Sequence, residues 1–119
     1  MAKPRVYHYP NCSACKKALK WLSSHEVEVE LIDIVKQPPT KAELREVLKS
    51  VGIPLRKLFN TSGASYREGN FGERLATMNE AEAIDALAQD GKLIKRPLVL
   101  GKGLALIGFD EAAYQKQLR

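Results

Sequence analysis

The two cysteines of this chain lie three residues apart, at the point where a first strand should turn into a first helix. Residues 5–9 are rich in aromatic and β-branched side chains, which predicts a short strand. A proline and an asparagine follow and indicate a turn. From Cys15 onward, apolar residues recur at the i, i+3, i+4, i+7 spacing of a helix that packs on a core. The helix should therefore begin at about Cys12 or Ser13 and extend to about Ser24.

This position predicts different chemistry for the two thiols. The N-terminus of a helix carries unpaired N–H groups and a partial positive charge, which favour a thiolate at Cys12. Lys16 and Lys17 on the first turns add to the effect. Cys15 falls on the stripe that faces the core and should be less exposed. We therefore expect Cys12 to attack as the catalytic nucleophile and Cys15 to resolve the mixed disulfide.

Two other interpretations of the cysteines remain open. A structural zinc site needs four ligands, and only His8 and His25 are left to supply them. Neither histidine belongs to a second ligand pair, so we predict no metal. The cysteines could also be two inert buried residues. The strand–turn–helix context favours the redox motif over both alternatives.

Length and composition predict a single domain over residues 1–119. The chain is 45% hydrophobic and 28% charged, which is typical of a globular domain. No apolar run reaches the ~20 residues of a membrane span, and the first residues lack the apolar stretch of a signal peptide. We therefore expect no membrane segment and a cytoplasmic monomer, in which a disulfide would be transient.

The net charge of +5 is unevenly distributed. Residues 1–59 carry eleven Lys and Arg against six Asp and Glu, whereas residues 60–119 carry eight of each kind. A basic field of this kind could attract an anionic substrate or an acidic protein surface. No basic run or base-stacking cluster accompanies it, so direct nucleic-acid binding is not predicted. A solvated basic face remains the alternative.

The middle of the chain is predicted to be mostly helical. Residues 27–34 alternate as a strand does, so the N-terminal part should form a βαβ unit with two parallel strands. Capping-box patterns begin helices at 40–52 and 79–91, each ended by a glycine. A short helix is expected at 54–59. Residues 64–78 show no clear pattern.

The C-terminal part predicts a hairpin and a last helix. Apolar segments at 93–100 and 104–107 flank a Gly-Lys-Gly turn, and Asp110 should cap the final helix. Because proline is tolerated poorly inside a strand, Arg96-Pro97 predicts a cis peptide bond, with a trans proline at a strand start as the alternative.

These residues together resemble the ArsC-like branch of the thioredoxin fold. That branch contains glutaredoxin-coupled arsenate reductases and the Spx/MgsR regulators. The resemblance covers essentially the whole chain and implies an α/β fold with a mixed four-stranded sheet, in the order βαβ, helical insertion, ββα. It depends on the Cys12-x-x-Cys15 motif, on residues 95–99, and on residues 60–67.

The resemblance also implies a substrate site. It places a cis-Pro97 beside the active cysteine, with Arg96 facing the same site. Arsenate reductases of this branch hold the oxyanion with three arginines, and only Arg96 matches one of them. Asn60 stands where the second is expected, and residues 104–109 contain no arginine. One bidentate fork cannot surround a tetrahedral anion as three can, which argues against arsenate reduction.

Two functions therefore follow as hypotheses. The first is a thiol–disulfide oxidoreductase that acts on a small thiol, disulfide or oxyanion. It would hold no bound cofactor and would use glutathione or another thiol reductant as co-substrate. The second is an Spx/MgsR-type regulator that binds RNA polymerase and uses the same cysteines as a redox sensor.

Overall fold

The computed structural model describes residues 3–10, 12–51, 54–101 and 104–118, with the side chains of residues 50 and 51 excepted. The strands are β1 (Arg5–His8), β2 (Glu30–Asp33), β3 (Leu98–Gly101) and β4 (Leu104–Ile107). The α-helices are α1 (Ser13–Ser24), α2 (Lys41–Val51), α3 (Ala64–Glu68), α4 (Phe71–Arg74), α5 (Glu80–Gln89) and α6 (Glu111–Leu118). Two 3₁₀ helices lie at Leu55–Leu58 and Gly91–Leu93.

The described residues form two compact units. The first comprises those up to Asp33 and from Arg96 onward, and the second comprises those between Ile34 and Lys95. No helix among the described residues is both long and apolar enough to cross a membrane.

The first unit is built on one mixed sheet with the strand order β2-β1-β3-β4. β1 pairs with β2 in parallel, while β1 with β3 and β3 with β4 are antiparallel. The parallel pair is joined through α1, as the βαβ prediction requires. The predicted α/β class, the mixed four-stranded sheet and the thioredoxin-like order βαβ…ββα are confirmed.

The core of the first unit lies between the sheet and two helices, α1 and α6. Its buried members are Val6, Ala18, Trp21, Leu22, Val99, Leu106 and Tyr114. Tyr114 meets the Trp21 ring edge-on at 5.6 Å and donates its buried hydroxyl hydrogen to the Gly108 carbonyl at 2.9 Å. The predicted cap of α6 is also present, because the Asp110 carboxylate accepts the Ala112 N–H at 3.1 Å.

The second unit is helical, and its two longest helices begin as predicted. Thr40 and Glu43 exchange side-chain-to-backbone hydrogen bonds at the start of α2. Asn79 and Glu82 do the same at the start of α5. α2 and α5 pack together. Their exposed sides are joined by an ion pair of 2.6 Å from Lys41 to Asp85, which holds the pKa of the Asp85 carboxyl below its usual value.

Several predicted boundaries were wrong. The strand predicted at 27–34 is only Glu30–Asp33. The strand predicted at 93–100 begins at Leu98; before it come a 3₁₀ turn and a single antiparallel bridge between Phe59 and Ile94. Residues 64–78, which gave no pattern, contain α3 and α4. The predicted helix stop at Gly52 and the turn at 102–103 lie outside the described residues.

Candidate active site

Cys12 is the N-cap residue of α1. Its backbone is extended (φ −112°, ψ 115°), and its sulfur accepts the N–H of Cys15 at 3.2 Å. The N–H of Cys12 donates to the Tyr9 carbonyl at 3.2 Å, which closes the turn between β1 and α1. The first turn of α1, which the structure describes in full, contains no acidic residue. The only group that this helix terminus offers as an anion is therefore the half-buried Cys12 sulfur.

Cys15 lies one turn further on and is 1% exposed. The pKa of the Cys15 thiol is raised to about 12, first by burial and second by a hydrogen bond with the Cys12 sulfur. The charge of the Cys12 thiolate acts in the same direction. A hydrogen bond with the Tyr9 backbone and the positive charge of Arg96 act against these effects. Cys15 therefore keeps its proton at neutral pH as long as Cys12 is a free thiol or thiolate.

Arg96 lies close enough to the cysteines for its charge to act on Cys15. Its half-buried side chain packs over the Tyr9 ring, with the guanidinium carbon 4.9 Å from the ring centroid. This cation–π contact restricts where the guanidinium can point. The Arg96-Pro97 peptide bond is cis, as predicted. Pro97 is buried, and its carbonyl accepts the Gly108 N–H at 2.8 Å.

Tyr9 is the functional candidate that sequence reasoning missed. The aromatic and β-branched pattern predicts Tyr9 only as a strand residue, but β1 ends at His8. Tyr9 contributes its carbonyl to Cys12, a backbone hydrogen bond to Cys15 and its ring to Arg96. An aromatic residue directly before the turn of the cysteine motif was the available signal.

Asn60 belongs to the second unit, directly after the 3₁₀ turn Leu55–Leu58 and the bridge residue Phe59. Its N–H donates to the Leu93 carbonyl at 2.7 Å. Its role in binding the substrate stays a prediction.

The two histidines that could have accompanied the cysteines have other surroundings. His8 ends β1. The His25 ring stacks on Trp21 with a centroid distance of 4.0 Å, and its Nδ1 lies 2.9 Å from the Trp21 carbonyl oxygen. Over the described ranges, no group of three or more His, Cys, Asp or Glu side chains is arranged to hold a metal ion.

Comparison with known proteins connects this geometry to a family. The sequence profile of the ArsC family matches residues 7–117. The YusI protein of Bacillus subtilis is 46% identical over 110 residues, which cover 92% of this chain and 93% of YusI. A solved ArsC family related protein of Bacteroides fragilis superposes with a TM-score of 0.92 at 42% identity, covering 96% of each chain. The regulatory protein MgsR of Bacillus subtilis is 26% identical over 104 residues, covering 87% of this chain and 81% of MgsR.

Proposed function

The chain belongs to the ArsC family, and on that premise we propose that it is a thiol–disulfide oxidoreductase with Cys12 as nucleophile and Cys15 as resolving thiol. The observation that carries the proposal is the 3.2 Å hydrogen bond from the Cys15 N–H to the Cys12 sulfur at the tip of α1. A backbone N–H directed at a sulfur stabilises the thiolate, which is the reactive form of cysteine.

In the first step, the Cys12 thiolate attacks one sulfur of a substrate disulfide. A Cys12–substrate bond forms, the substrate S–S bond breaks, and the departing half leaves as a thiolate that takes up a proton. In the second step, Cys15 gives up its proton, which the departing thiolate takes up, and its sulfur attacks the Cys12 sulfur. The second half of the substrate leaves, and the two cysteines are joined. The substrate gains two electrons, and two molecules of glutathione or another thiol return them to the cysteine pair.

The surroundings of Cys15 suit the resolving step. Two of the influences that raise its pKa come from Cys12: the hydrogen bond to its sulfur and the charge of its thiolate. A mixed disulfide at Cys12 carries no charge, and its sulfur is a weaker acceptor. The influence of Arg96 and of the Tyr9 backbone, which lower the pKa of Cys15, is then less opposed. Cys15 should therefore become a better nucleophile only after Cys12 has reacted.

Arg96 gives the proposed site its preference for anions. A guanidinium presents a planar fork of donors that matches a carboxylate. Held over the Tyr9 ring, Arg96 would orient a carboxylate-bearing thiol such as glutathione near Cys12, and Pro97 would shape the adjoining wall.

The test is to trap the mixed disulfide. The Cys15→Ser variant, incubated with a small symmetric disulfide, should accumulate an adduct on Cys12 that mass spectrometry of the digested protein locates. The Cys12→Ser variant is the matched control. It should form an adduct far more slowly than Cys15→Ser does. A Cys15 adduct that forms in Cys12→Ser as fast as the Cys12 adduct forms in Cys15→Ser, or turnover that survives Cys12→Ser, would contradict the assigned roles.

The second candidate function is a redox-sensing regulator that binds RNA polymerase. The match to the regulatory protein MgsR over most of both chains favours it. The cysteine pair would then act as a switch, and the basic N-terminal half would form the docking face. RNA polymerase should be captured by this protein in one oxidation state and not in the other. Capture that does not depend on Cys12 and Cys15, or no capture at all, would count against this function.

A further inference from the structure

A cavity of about 410 Å³ has a basic lining, and every described residue that lines it belongs to the second unit. Three cationic residues contribute to it: Arg56, Lys57 and Lys95. In the part of the chain that the structure describes, no acidic residue lines this cavity. None of the three cations forms a salt bridge with another described residue. Like charges that share one concavity repel each other, and a bound anion removes that repulsion.

The remaining lining residues suit a hydrogen-bonded ligand. Asn60, Thr61 and Ser62 also line the cavity, and each side chain can donate a hydrogen bond to an anionic oxygen. Phe59, which is 2% exposed, and Pro54 contribute an apolar part. Charged, polar and apolar groups converging on a cavity of this volume are typical of a small-molecule site.

Backbone hydrogen bonds join the two chain segments that carry the cationic lining residues of this cavity. Arg56 and Lys57 lie on the 3₁₀ turn before Phe59, while Lys95 follows Ile94. The Phe59–Ile94 bridge joins the two segments through two hydrogen bonds of 2.7 Å, from Asn60 N–H to the Leu93 carbonyl and from Lys95 N–H to the Leu58 carbonyl. The cationic side chains therefore start from backbone positions that do not have to be ordered by a ligand.

The position of Asn60 also depends on a glycine. Gly63 donates its N–H to the Asn60 carbonyl at 3.0 Å. A side chain at position 63 would place its Cβ 2.6 Å from the Asn60 amide nitrogen, closer than real contacts allow. Gly63 thus leaves room for the Asn60 amide in the turn that lines the cavity.

We propose that this cavity binds a small organic or inorganic molecule with at least two anionic groups, phosphate or carboxylate. The site is defined by Arg56, Lys57 and Lys95 and does not depend on the cysteines. It is therefore separate in its chemistry from the proposed thiol exchange. The ligand would be held by its charges, with its oxygens bonded to the polar side of the cavity.

Calorimetric titration of the full chain with pyrophosphate and, separately, with citrate tests the proposal and distinguishes phosphate from carboxylate. At least one of the two should bind with 1:1 saturation. The Arg56→Gln/Lys95→Gln variant should weaken that binding roughly tenfold or more, which corresponds to ~1.4 kcal/mol, because it removes two charged hydrogen-bond donors. The matched control is Arg45→Gln/Lys49→Gln, two exposed cations on α2 that do not line the cavity.

Both variants lower the net charge from +5 to +3, so a general electrostatic attraction would weaken both equally and overturn the proposal. Absence of saturable binding of either probe to the natural chain would also overturn it. The Cys12→Ser/Cys15→Ser variant should bind the probe with unchanged affinity. A loss of binding in this variant would show that the anion binds at the cysteines and would overturn the proposal. Exchange with an uncharged disulfide should be unaffected by Arg56→Gln/Lys95→Gln, which separates a failure of this site from a failure of the thiol chemistry.

Discussion

The first turns of α1 and α5 differ in how their unpaired backbone N–H groups are capped. At α5 the Asn79 side chain accepts the Glu82 N–H at 2.8 Å, and the Glu82 carboxylate accepts the Asn79 N–H at 3.1 Å. This capping box satisfies two backbone donors and places acidic groups at the positive, N-terminal end of the helix dipole. At α1 the cap is the sulfur of Cys12, at 3.2 Å from one N–H, and the first turn contains no acid.

Sulfur is a weak hydrogen-bond acceptor, so α1 begins with a poorer cap than α5. The difference teaches that the start of α1 favours the chemistry of an anionic sulfur over local helix stability. The stability of α1 must then come from its buried face, where Ala18, Trp21 and Leu22 pack in the core.

The strongest challenge to this comparison is to remove the buried face of α1. Leu22 is 1% exposed, and Leu22→Ala should lower the free energy of unfolding by about 2–5 kcal/mol, because it removes apolar contacts and leaves a cavity. Urea denaturation measures the loss. Lys20→Ala, on the exposed side of the same helix, is the control and should change the value by less than about 0.5 kcal/mol. Equal losses from both variants would show that burial does not hold α1 in place.

A smaller effect should appear as a pH dependence of stability. The pKa of Cys15 is raised from 9.0 to about 12 in the folded chain. Below pH 9 the thiol is protonated in both states; above it the unfolded chain loses its proton first, so the free energy of unfolding falls as the pH rises. Between pH 8 and pH 10 this group should contribute a loss of about 1.4 kcal/mol.

The same measurement on Cys15→Ala should show a shallower decline over that interval. Burial also raises the pKa of Tyr114, and so does the charge of a Cys15 thiolate. Because folded Cys15 stays protonated between pH 8 and pH 10, Tyr114 contributes alike in both proteins, and the difference between them reports Cys15. Identical slopes would mean that Cys15 ionises as freely in the folded chain as in the unfolded one.

The smallest expected effect is an increase in the free energy of unfolding. Cys12→Asp replaces a weak cap by a charged oxygen acceptor and should raise the free energy of unfolding by about 0.5–1 kcal/mol while abolishing thiol exchange. Thermal unfolding followed by circular dichroism measures it. Asn79→Ala at α5 is the matched control and should lose about 1 kcal/mol. A destabilised Cys12→Asp would show that the sulfur is the better cap at this position.

Sequence reasoning succeeded where a local pattern has one physical cause. The stripe from Cys15 to Leu22 predicted α1 and its buried face, and the pairs Thr40–Glu43 and Asn79–Glu82 predicted two helix starts. Each of these signals involves residues within one or two turns of each other. Their effect is therefore decided before the chain folds.

Sequence reasoning failed where apolar residues are buried, as in a strand, but their backbone is not paired in the sheet. Val27 and Val29 alternate with glutamates and pack against the core of the first unit, but strand pairing begins only at Glu30. Leu93 and Ile94 are buried in a 3₁₀ turn and a single bridge, since the Asp90 carboxylate accepts the Lys92 N–H at 3.0 Å and turns the chain. Alternating apolar residues show which side of a segment is buried. They do not show whether its backbone pairs with another strand.

In the candidate site, the cysteine pair and the cis Arg96-Pro97 bond were accessible from the sequence because motif and proline signal them directly. The contact of Tyr9 with Arg96 was not, because the two residues are far apart in the chain and meet only through the pairing of β1 with β3. No local pattern encodes a contact of that kind.

The surroundings of Trp21 give this protein an optical reporter of its own. Trp21 is the only tryptophan of the chain, and its buried indole N–H has no hydrogen-bond partner among the described residues. Its ring is stacked on the His25 ring at the end of α1. Fluorescence of the unlabelled protein thus reports solvent entry at the core of the first unit. Because Trp21 belongs to the helix that begins at Cys12, the same emission can follow, in real time, whether oxidation of the cysteines disturbs the far end of α1.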